Sequence, residues 1–249
     1  PRTFMRAIII DDERLARKEL NNLLENYPEI EIVDQAVNAD EALEKIIQLD
    51  PELIFLDIQM PGKTGFELLE ELEKVPKVIF TTAYDEFAIK AFDVNALDYL
   101  LKPIQEERLK EAITKVLAVQ ASALAERAQE GVSEIKQQLG MNDQVFVKDG
   151  DRCWFISLKE IRLFESDGNY IKVYFNNVKP MIHKSLNALD EKLDERNFFR
   201  ASRKYIINLG WIETIETWFN GGLLVQLKGG EKIEVSRRQA ARFKENMSL

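Results

Sequence analysis

Five short apolar runs alternate with amphipathic stretches in the first half of the chain, and this alternation constrains the fold more than any other feature. The runs lie at residues 6–10, 30–33, 53–56, 77–80 and 97–101, and the amphipathic stretches at 13–27, 39–49, 64–74, 85–94 and from 105 onward. Strand–helix repeats of this length predict an α/β fold, with helices on both faces of a parallel sheet. Right-handed crossovers leave few topologies, of which the doubly wound, five-stranded flavodoxin-like order fits best.

The sequence changes character after about residue 142. Short strand-like runs at 146, 154–156, 161–164, 170–175, 223–227 and 232–235 are separated by turn dipeptides such as Asp149-Gly150 and Asp167-Gly168. A short helix is predicted over about 185–193. This pattern predicts a mostly antiparallel β domain. We therefore expect an α/β domain over 1–118, a partly helical, Ala- and Gln-rich linker over 119–142, and a β domain over 143–249.

Composition excludes several classes of protein. The sequence has no run of about 18 uncharged apolar residues and no apolar N-terminal segment typical of a secretory signal, so we expect no contact with a membrane. Cys153 is the only cysteine and His183 the only histidine, which excludes an internal disulfide and a Cys/His metal site. A single cysteine is typical of the reducing cytosol, so we expect a cytoplasmic protein.

Charge is distributed unevenly between the two halves. Residues 1–120 carry 14 Lys and Arg against 25 Asp and Glu, a net charge of -11. The remaining residues carry 20 basic and 18 acidic side chains, a net charge of +2. This asymmetry indicates that the two halves bind different partners.

Acidic and polar residues stand where the predicted strands of the first half end. Asp11 and Asp12 follow the first strand, Asp57 the third, Thr82 the fourth and Lys102 the fifth. Since the carboxyl ends of parallel strands meet at one edge of the sheet, we expect these side chains to converge. Clustered carboxylates repel one another unless a cation offsets them, and Mg²⁺ prefers oxygen ligands of this kind. Asp57 is then a candidate nucleophile for a phosphoryl group.

Two other interpretations of these residues stay open at this point. Any one of them, taken alone, is more often an ordinary surface charge, and only their recurrence at successive strand ends argues otherwise. A hydrolase that turns over at Asp57 is the second alternative. It is disfavoured because the sequence offers no second general acid beside the nucleophile and no signature of a substrate pocket.

The strand-end motifs resemble the receiver domain of bacterial two-component response regulators. The motifs are residues 8–13 (IIIDDE), 55–62 (FLDIQMPG), 80–83 (FTTA) and 98–103 (DYLLKP), and the resemblance covers about residues 5–118. It implies that Asp57 accepts phosphate from a sensor histidine kinase. It also implies that Asp12, Asp57 and the backbone carbonyl of Gln59 bind Mg²⁺, with Asp11 contributing through water.

The same resemblance implies a switch. Thr82 and Tyr99 occupy the positions of the family's switch pair, Lys102 that of its phosphate-binding lysine, and the peptide bond before Pro103 is expected to be cis. Phosphorylation would draw Thr82 toward the phosphate and Tyr99 into the space behind it. The change would promote homodimerisation on the face formed by helix 85–94, strand 97–101 and the helix after 105. Such a domain is not an enzyme in the usual sense.

Basic residues of the second half lie beside apolar anchors. Basic and apolar side chains occur together in two motifs, residues 198–209 (FFRASRKYIINL) and 235–238 (VSRR). The second motif precedes a basic terminal helix. Basic side chains on a rigid β scaffold suit phosphate contact, and arginine also suits bidentate recognition of guanine. Ordinary solvated charge and a protein-interaction module are the alternatives, because this half carries a net charge of only +2.

The order of these motifs resembles the LytTR type of DNA-binding domain over about residues 143–247. The motifs are residues 161–170 (IRLFESDGNY), 184–189 (KSLNAL), 199–208 (FRASRKYIIN) and 235–238. The resemblance implies loops that enter successive major grooves of promoter repeats in double-stranded DNA. By position, the candidates for base contact are Asn169, Arg203 and Arg238. The candidates for phosphate contact are Lys184, Lys204 and Arg237. Ser202 departs from the family pattern, where many relatives have histidine, and Asn208 is expected to brace the fold.

Overall fold

The structure, a computed structural model, describes residues 4–83, 98–130 and 138–247 of the chain. The chain divides into two compact units. Unit 1 comprises residues 1–134, 144–146 and 151–155, and unit 2 comprises 135–143, 147–150 and 156–249. Within the described residues, no helix is both long and apolar enough to cross a membrane. The helix expected over 85–94 lies outside the described residues, and the domain boundaries expected at 118 and 142 stay predictions.

A five-stranded parallel sheet in the order β2-β1-β3-β4-β5 forms the centre of unit 1, which confirms the doubly wound fold predicted from the sequence. Its described strands and helices are, in chain order, β1 (Met5–Ile10), α1 (Arg14–Leu24), β2 (Ile30–Ala36), α2 (Ala39–Leu49), β3 (Leu53–Asp57), α3 (Gly65–Glu71), β4 (Lys77–Thr82), β5 (Asp98–Leu101) and α4 (Glu106–Glu130).

Alternating side chains of the central strands feed two apolar cores. On β1, Met5 and Ile9 join the core that includes α1 and α4, whereas Ile8 and Ile10 join the core that includes α2 and α3. Strand β3 is buried along its whole length. Because a strand covered on both faces needs apolar residues at every position, these segments appear in the sequence as continuous apolar runs.

Side chains at the first turns fix where α2 and α3 begin. The Asn38 side chain accepts a hydrogen bond from the backbone N–H of Glu41 at 2.8 Å. Thr64 and Glu67 form a reciprocal capping box, in which each side chain accepts from the other's backbone N–H. Capping of this kind stabilises a helix by about 1 kcal/mol. It also sets the lengths of the loops that follow β2 and β3.

Two ion pairs hold helix α4 against the start of β5. The buried Asp98 carboxylate lies 2.6 Å from Arg108 Nη2 and 2.9 Å from Lys115 Nζ. Further along, Gln120 is buried and donates to Glu52 at 3.0 Å. The helix therefore continues well past residue 118.

Strands β6 (Gln144–Asp149) and β7 (Arg152–Ser157) pair with each other. Phe146 and Phe155 belong to unit 1 and pack in its apolar core beside Phe66 and Phe80, with ring centroids 5.1–6.3 Å apart. Cys153 is fully buried in the same core and therefore acts as a small apolar side chain.

Unit 2 consists mainly of antiparallel β-structure, which confirms the second part of the predicted fold. Its described sheets are a five-stranded sheet in the order β10-β9-β8-β12-β11 and a three-stranded sheet in the order β13-β14-β15. The elements are β8 (Leu163–Asp167), β9 (Tyr170–Tyr174), β10 (Met181–Ile182), α5 (Leu186–Lys192), β11 (Phe198–Arg200), β12 (Tyr205–Asn208), β13 (Ile212–Thr217), β14 (Leu223–Leu227), β15 (Lys232–Val235) and α6 (Arg237–Asn246).

A buried ion pair ties the two sheets of unit 2 together. The Arg162 guanidinium lies 2.6 Å from Glu231 Oε1 and donates to the carbonyl of Asn176 at 2.7 Å. A Cβ at Gly229 would lie only 2.2 Å from Arg162 Nε, so this turn requires glycine for close approach. Asn208 is fully buried and donates to the carbonyls of Leu158 and Ile161, as expected for a residue that braces the fold.

Candidate functional site

The predicted pocket of unit 1 forms where four parallel strands end. Asp57 and Thr82 are the last residues of β3 and β4, whereas Asp11 and Lys102 directly follow β1 and β5. Asp11, Asp57 and Thr82 are buried. The strand order therefore brings together side chains that are up to 91 positions apart in the sequence.

Lys102 provides the positive charge of this pocket. Its Nζ lies 2.6 Å from Asp11 Oδ2 and 3.3 Å from Asp57 Oδ2. Burial alone would lower the pKa of Lys102. The hydrogen bond to Asp11 and the charges of Asp11 and Asp57 outweigh that effect, so the pKa lies above the usual value of a lysine. Lys102 therefore remains protonated at neutral pH. The peptide bond from Lys102 to Pro103 is cis, as the family resemblance implied.

The backbone around Asp57 holds its carboxylate in place. Asp57 Oδ1 accepts a hydrogen bond from the backbone N–H of Gln59 at 3.1 Å. A Cβ at Gly65 would lie 2.6 Å from the Asp57 carbonyl oxygen, so the first residue of α3 must be glycine to pack this closely behind the strand end. One carboxylate oxygen is thus fixed by the following loop, while the other faces Lys102.

Asp11, Asp12 and Asp57 form a cluster in which one carboxylate oxygen of each lies within 4.8 Å of the others. Asp11 and Asp57 are buried, whereas Asp12 is exposed and open to solvent. Burial, and to a smaller extent the charge of Asp11, raises the pKa of Asp57 to about 6 despite the opposing charge of Lys102. A further cation would offset this repulsion. Three carboxylates are the hard oxygen ligands that fit Mg²⁺.

The predicted switch residues lie on neighbouring strands. Thr82 is fully buried, and its backbone carbonyl accepts from the N–H of Lys102 at 2.8 Å. Tyr99 is half-buried, and its ring stacks on that of Phe80 with centroids 5.9 Å apart and planes inclined by 15°. Burial raises the pKa of the Tyr99 hydroxyl, so it remains neutral.

Unit 2 contains a cleft of about 900 Å³ between three of its loops. Three of the predicted DNA-contact residues line it, namely Asn169, Lys184 and Arg203. His183 and Arg200 line it as well, and His183 meets Tyr170 edge to face at a centroid distance of 5.3 Å. No carboxylate lines the cleft among the residues that the structure describes. The structure thus gathers basic and amide side chains from separate motifs around one concave surface.

Lys204 differs from its neighbour Arg203 in its surroundings. Its Nζ lies 3.0 Å from Glu165 Oε1, and Tyr174 donates a hydrogen bond to the same carboxylate. Burial alone would raise the pKa of Glu165, but these two hydrogen bonds hold it below the usual range. A contact between Lys204 and a phosphate would therefore have to share or replace the ion pair with Glu165.

Arg237 and Arg238 are the first two residues of α6, and both are exposed. The Ser236 side chain caps this helix by accepting from the N–H of Gln239. The loop between β13 and β14 packs near Arg237, since a Cβ at Gly221 would lie 3.6 Å from its Cγ and Cδ. These arginines are therefore exposed at the junction between β15 and α6, as their motif predicts.

Sequence reasoning did not foresee the contacts of several residues that shape the second site. The Ser202 hydroxyl, where the sequence departs from the family pattern, accepts from the backbone N–H groups of Lys204 and Tyr205. Glu165 and Arg200 contact the same loop through their side chains. An ST-turn could have been suspected from Ser202 alone, whereas the contacts of Glu165 depend on pairing between strands 40 positions apart.

The parallel sheet with its acidic strand-end pocket, together with an antiparallel unit bearing a basic cleft, defines a response regulator with a DNA-binding output domain. A family model for the response regulator receiver domain matches residues 7–114, and one for the LytTr DNA-binding domain matches residues 151–248. The chain belongs to the LytTR family of response regulators.

Two curated relatives align over almost the whole chain. The sensory transduction protein LytT of Enterococcus faecalis is 34% identical over 98% of this chain and 100% of its own length. The transcriptional regulatory protein LytR of Staphylococcus aureus is 33% identical over the same shares. Among solved structures, the response regulatory domain of protein mrkE from Klebsiella pneumoniae is 34% identical, covers 46% of this chain and 97% of its own, and has a TM-score of 0.42.

Proposed function

We propose that this protein is a phosphorylation-dependent transcriptional response regulator of the cytoplasm. In this proposal Asp57 accepts a phosphoryl group from a sensor histidine kinase with the help of Mg²⁺. Phosphorylation then promotes homodimerisation and sequence-specific binding of unit 2 to promoter repeats in double-stranded DNA. The observation that carries the proposal is the pocket itself, in which Lys102 lies within hydrogen-bonding distance of both Asp11 and Asp57.

Each residue of the pocket has a role in phosphoryl transfer. An oxygen of Asp57 forms a bond to phosphorus while the bond from phosphorus to the histidine nitrogen of the kinase breaks. Lys102 stabilises the negative charge on the transferred oxygens, and the Thr82 hydroxyl donates to one of them. Asp11, Asp12, Asp57 and the Gln59 carbonyl would hold Mg²⁺, which when bound offsets charge on the carboxylates and the phosphoryl group.

The transferred group stays on the protein, so we do not class the chain as an enzyme. Phosphorylation adds roughly -1.5 to -2 charges and new hydrogen-bond acceptors at Asp57. These acceptors would attract the Thr82 hydroxyl, and the movement of Thr82 would leave space for Tyr99.

Three apolar side chains on β5 and α4 are each more than 40% exposed, namely Leu101, Val119 and Leu124. These apolar side chains support dimerisation on the face that includes β5 and α4.

On the DNA side, we assign base contacts to Asn169, Arg203 and Arg238. We assign phosphate contacts to Lys184, Lys204 and Arg237. The cleft supports half of these assignments, since two of the base-contact residues, Asn169 and Arg203, line it together with the phosphate-contact residue Lys184. Bidentate contact from arginine to guanine supplies sequence preference, whereas lysine contacts to phosphate supply affinity that falls with salt.

Binding of Mg²⁺ to the carboxylate cluster should stabilise the folded protein. At ten times its Kd, an ion that binds only the folded state raises the free energy of unfolding by about 1.4 kcal/mol. We expect Mg²⁺ to raise the melting temperature of the wild-type chain above that in NaCl of equal ionic strength. Asp12→Asn and Asp57→Asn should each reduce the Mg²⁺-dependent shift, because only two of the three carboxylates remain.

Asp40→Asn is the matched control for these variants. Asp40 lies on α2 outside the cluster and pairs with Lys63 at 2.7 Å. Its variant should retain the full Mg²⁺-dependent shift in thermal unfolding. Equal shifts in Asp12→Asn, Asp57→Asn and wild type would show that the ion binds elsewhere and would rule out this metal site.

A further inference from the structure

The loop between β11 and β12 is a tightly bonded turn. The backbone N–H groups of Ala201 and Ser202 both donate to the Tyr205 carbonyl, at 3.0 and 3.3 Å. The Ser202 hydroxyl accepts from the N–H groups of Lys204 and Tyr205, at 3.1 and 3.2 Å. These bonds hold the turn together at its base. They leave the carbonyls of Ser202 and Arg203, on the outer side of the turn, for other partners.

The Arg200 side chain donates hydrogen bonds to both of these carbonyls. Its Nε donates to the Ser202 carbonyl at 2.6 Å, and its Nη2 donates to the Arg203 carbonyl at 3.0 Å. The side chain is only 18% exposed, and Nη1 lies 3.8 Å from Asp190 Oδ2 on α5. The planar fork of one guanidinium therefore spans two consecutive peptide groups. Lysine cannot reproduce this arrangement, because its ammonium group is a single point of donation.

The side chain of Arg203 is exposed, in contrast to the mostly buried side chain of Arg200. It lines the cleft together with Asn169 and Lys184. Among the residues that the structure describes, no carboxylate forms an ion pair with it, whereas Lys204 is paired with Glu165. The backbone of Arg203 is thus fixed by Arg200 while its guanidinium remains available to a ligand.

We infer that Arg200 is a positioning residue for sequence recognition, which sets the direction of the Arg203 side chain by holding the carbonyls of the two peptide groups that flank the Arg203 Cα. The inference rests on the proposed DNA-binding function. Bidentate contact with a base requires the arginine to approach within a narrow range of position and angle. A turn held through both carbonyls limits the movement of the Arg203 backbone, so less freedom is lost on binding.

This role differs from direct contact with a phosphate. A positioning residue affects the preference for one sequence over another, whereas a phosphate contact affects all sequences equally and contributes about 0.9 to the slope of log affinity against log salt concentration. Arg200→Lys keeps the positive charge but loses the fork. It therefore separates the two roles, because a phosphate contact would survive the change and a positioning role would not.

The experiment uses the full chain with acetyl phosphate and Mg²⁺, and a duplex selected by the wild-type protein from a randomised library. A scrambled duplex of equal composition is the reference. We expect Arg200→Lys to lose about tenfold in affinity for the selected duplex and less than about twofold for the scrambled one, with the salt slope unchanged. Arg196→Lys is the matched control, since Arg196 pairs with Asp194 outside the cleft, and it should keep the wild-type preference.

A double-mutant cycle completes the test. In an Arg203→Ala background, Arg200→Lys should cause no further loss of preference, because there is no longer a side chain to position. Arg200→Gln, which has one donor nitrogen in place of the two that contact the carbonyls, should also lose preference and serves as a second variant if Arg200→Lys unfolds. The inference would be overturned if either folded variant kept the wild-type preference. It would also be overturned if Arg200→Lys caused an equal loss of preference in the wild-type and the Arg203→Ala backgrounds. A wild-type protein that shows no preference would instead overturn the proposed function on which the inference rests.

Discussion

Asp57→Ala should abolish the uptake of a phosphoryl group from a small phosphodonor. The substitution removes the nucleophilic oxygen and one of the three clustered carboxylates, and leaves Lys102 with Asp11 as its remaining partner in the pocket. No other carboxylate can replace Asp57. Among the described residues, this is the only place where an aspartate lies beside both a lysine and two further aspartates. We therefore expect complete loss rather than reduction.

The measurement is mass spectrometry of the intact chain after incubation with acetyl phosphate, with and without Mg²⁺. Wild type should gain a single phosphoryl group only in the presence of Mg²⁺. The adduct should be labile in base, as acyl phosphates are. Asp40→Ala, which removes an exposed aspartate of α2, should behave as wild type. Phosphoryl uptake by Asp57→Ala at the wild-type level would show that the acceptor lies elsewhere.

Arg203→Ala and Arg238→Ala should each weaken the preference for the selected duplex. A good bidentate contact between arginine and guanine contributes about 1–3 kcal/mol of discrimination against the wrong base. Arg203 lines the cleft of unit 2, and Arg238 lies in the first turn of α6, so the two variants test separate contacts. The phosphate-contact variant Lys184→Ala should instead lower affinity for all sequences and reduce the salt slope by about 1.

Competition binding between the selected and the scrambled duplex, at several salt concentrations, measures both quantities. Lys232→Ala is the matched control, because it removes one exposed positive charge from β15 without altering the cleft or the start of α6. It should retain the wild-type preference. If Arg203→Ala and Arg238→Ala both bind with unchanged preference, the assignment of base contacts is wrong.

The first half of the chain was the more predictable part because its signals are local. Parallel strands buried on both faces appear as continuous apolar runs, and the structure places strands at all five of them. The residues of the pocket could be found for the same reason, since each stands within two positions of the end of an apolar run. Sequence alone did not show how they pair, because the contact between Lys102 and Asp11 depends on the strand order.

Parts of the second half were missed for identifiable physical reasons. Strand β13 has apolar residues at 212 and 215, a spacing that does not alternate as a regular strand should. The structure explains this spacing by a register shift between Ile212 and Thr214, which turns both isoleucines toward the same side. Residues 198–200 and 205–208 were interpreted only as part of a basic motif, although they form β11 and β12, in which adjacent apolar residues are buried.

Control of DNA binding by phosphorylation at Asp57 is the central claim. The direct measurement is the affinity of the full chain for the selected duplex, with and without acetyl phosphate and Mg²⁺, in wild type and Asp57→Ala. The size of the protein in solution is followed in parallel. We predict that the phosphodonor increases both the affinity and the dimer fraction of wild type and changes neither in Asp57→Ala. An equal response of the two proteins, or no response in a wild-type chain shown to be phosphorylated, would contradict the account.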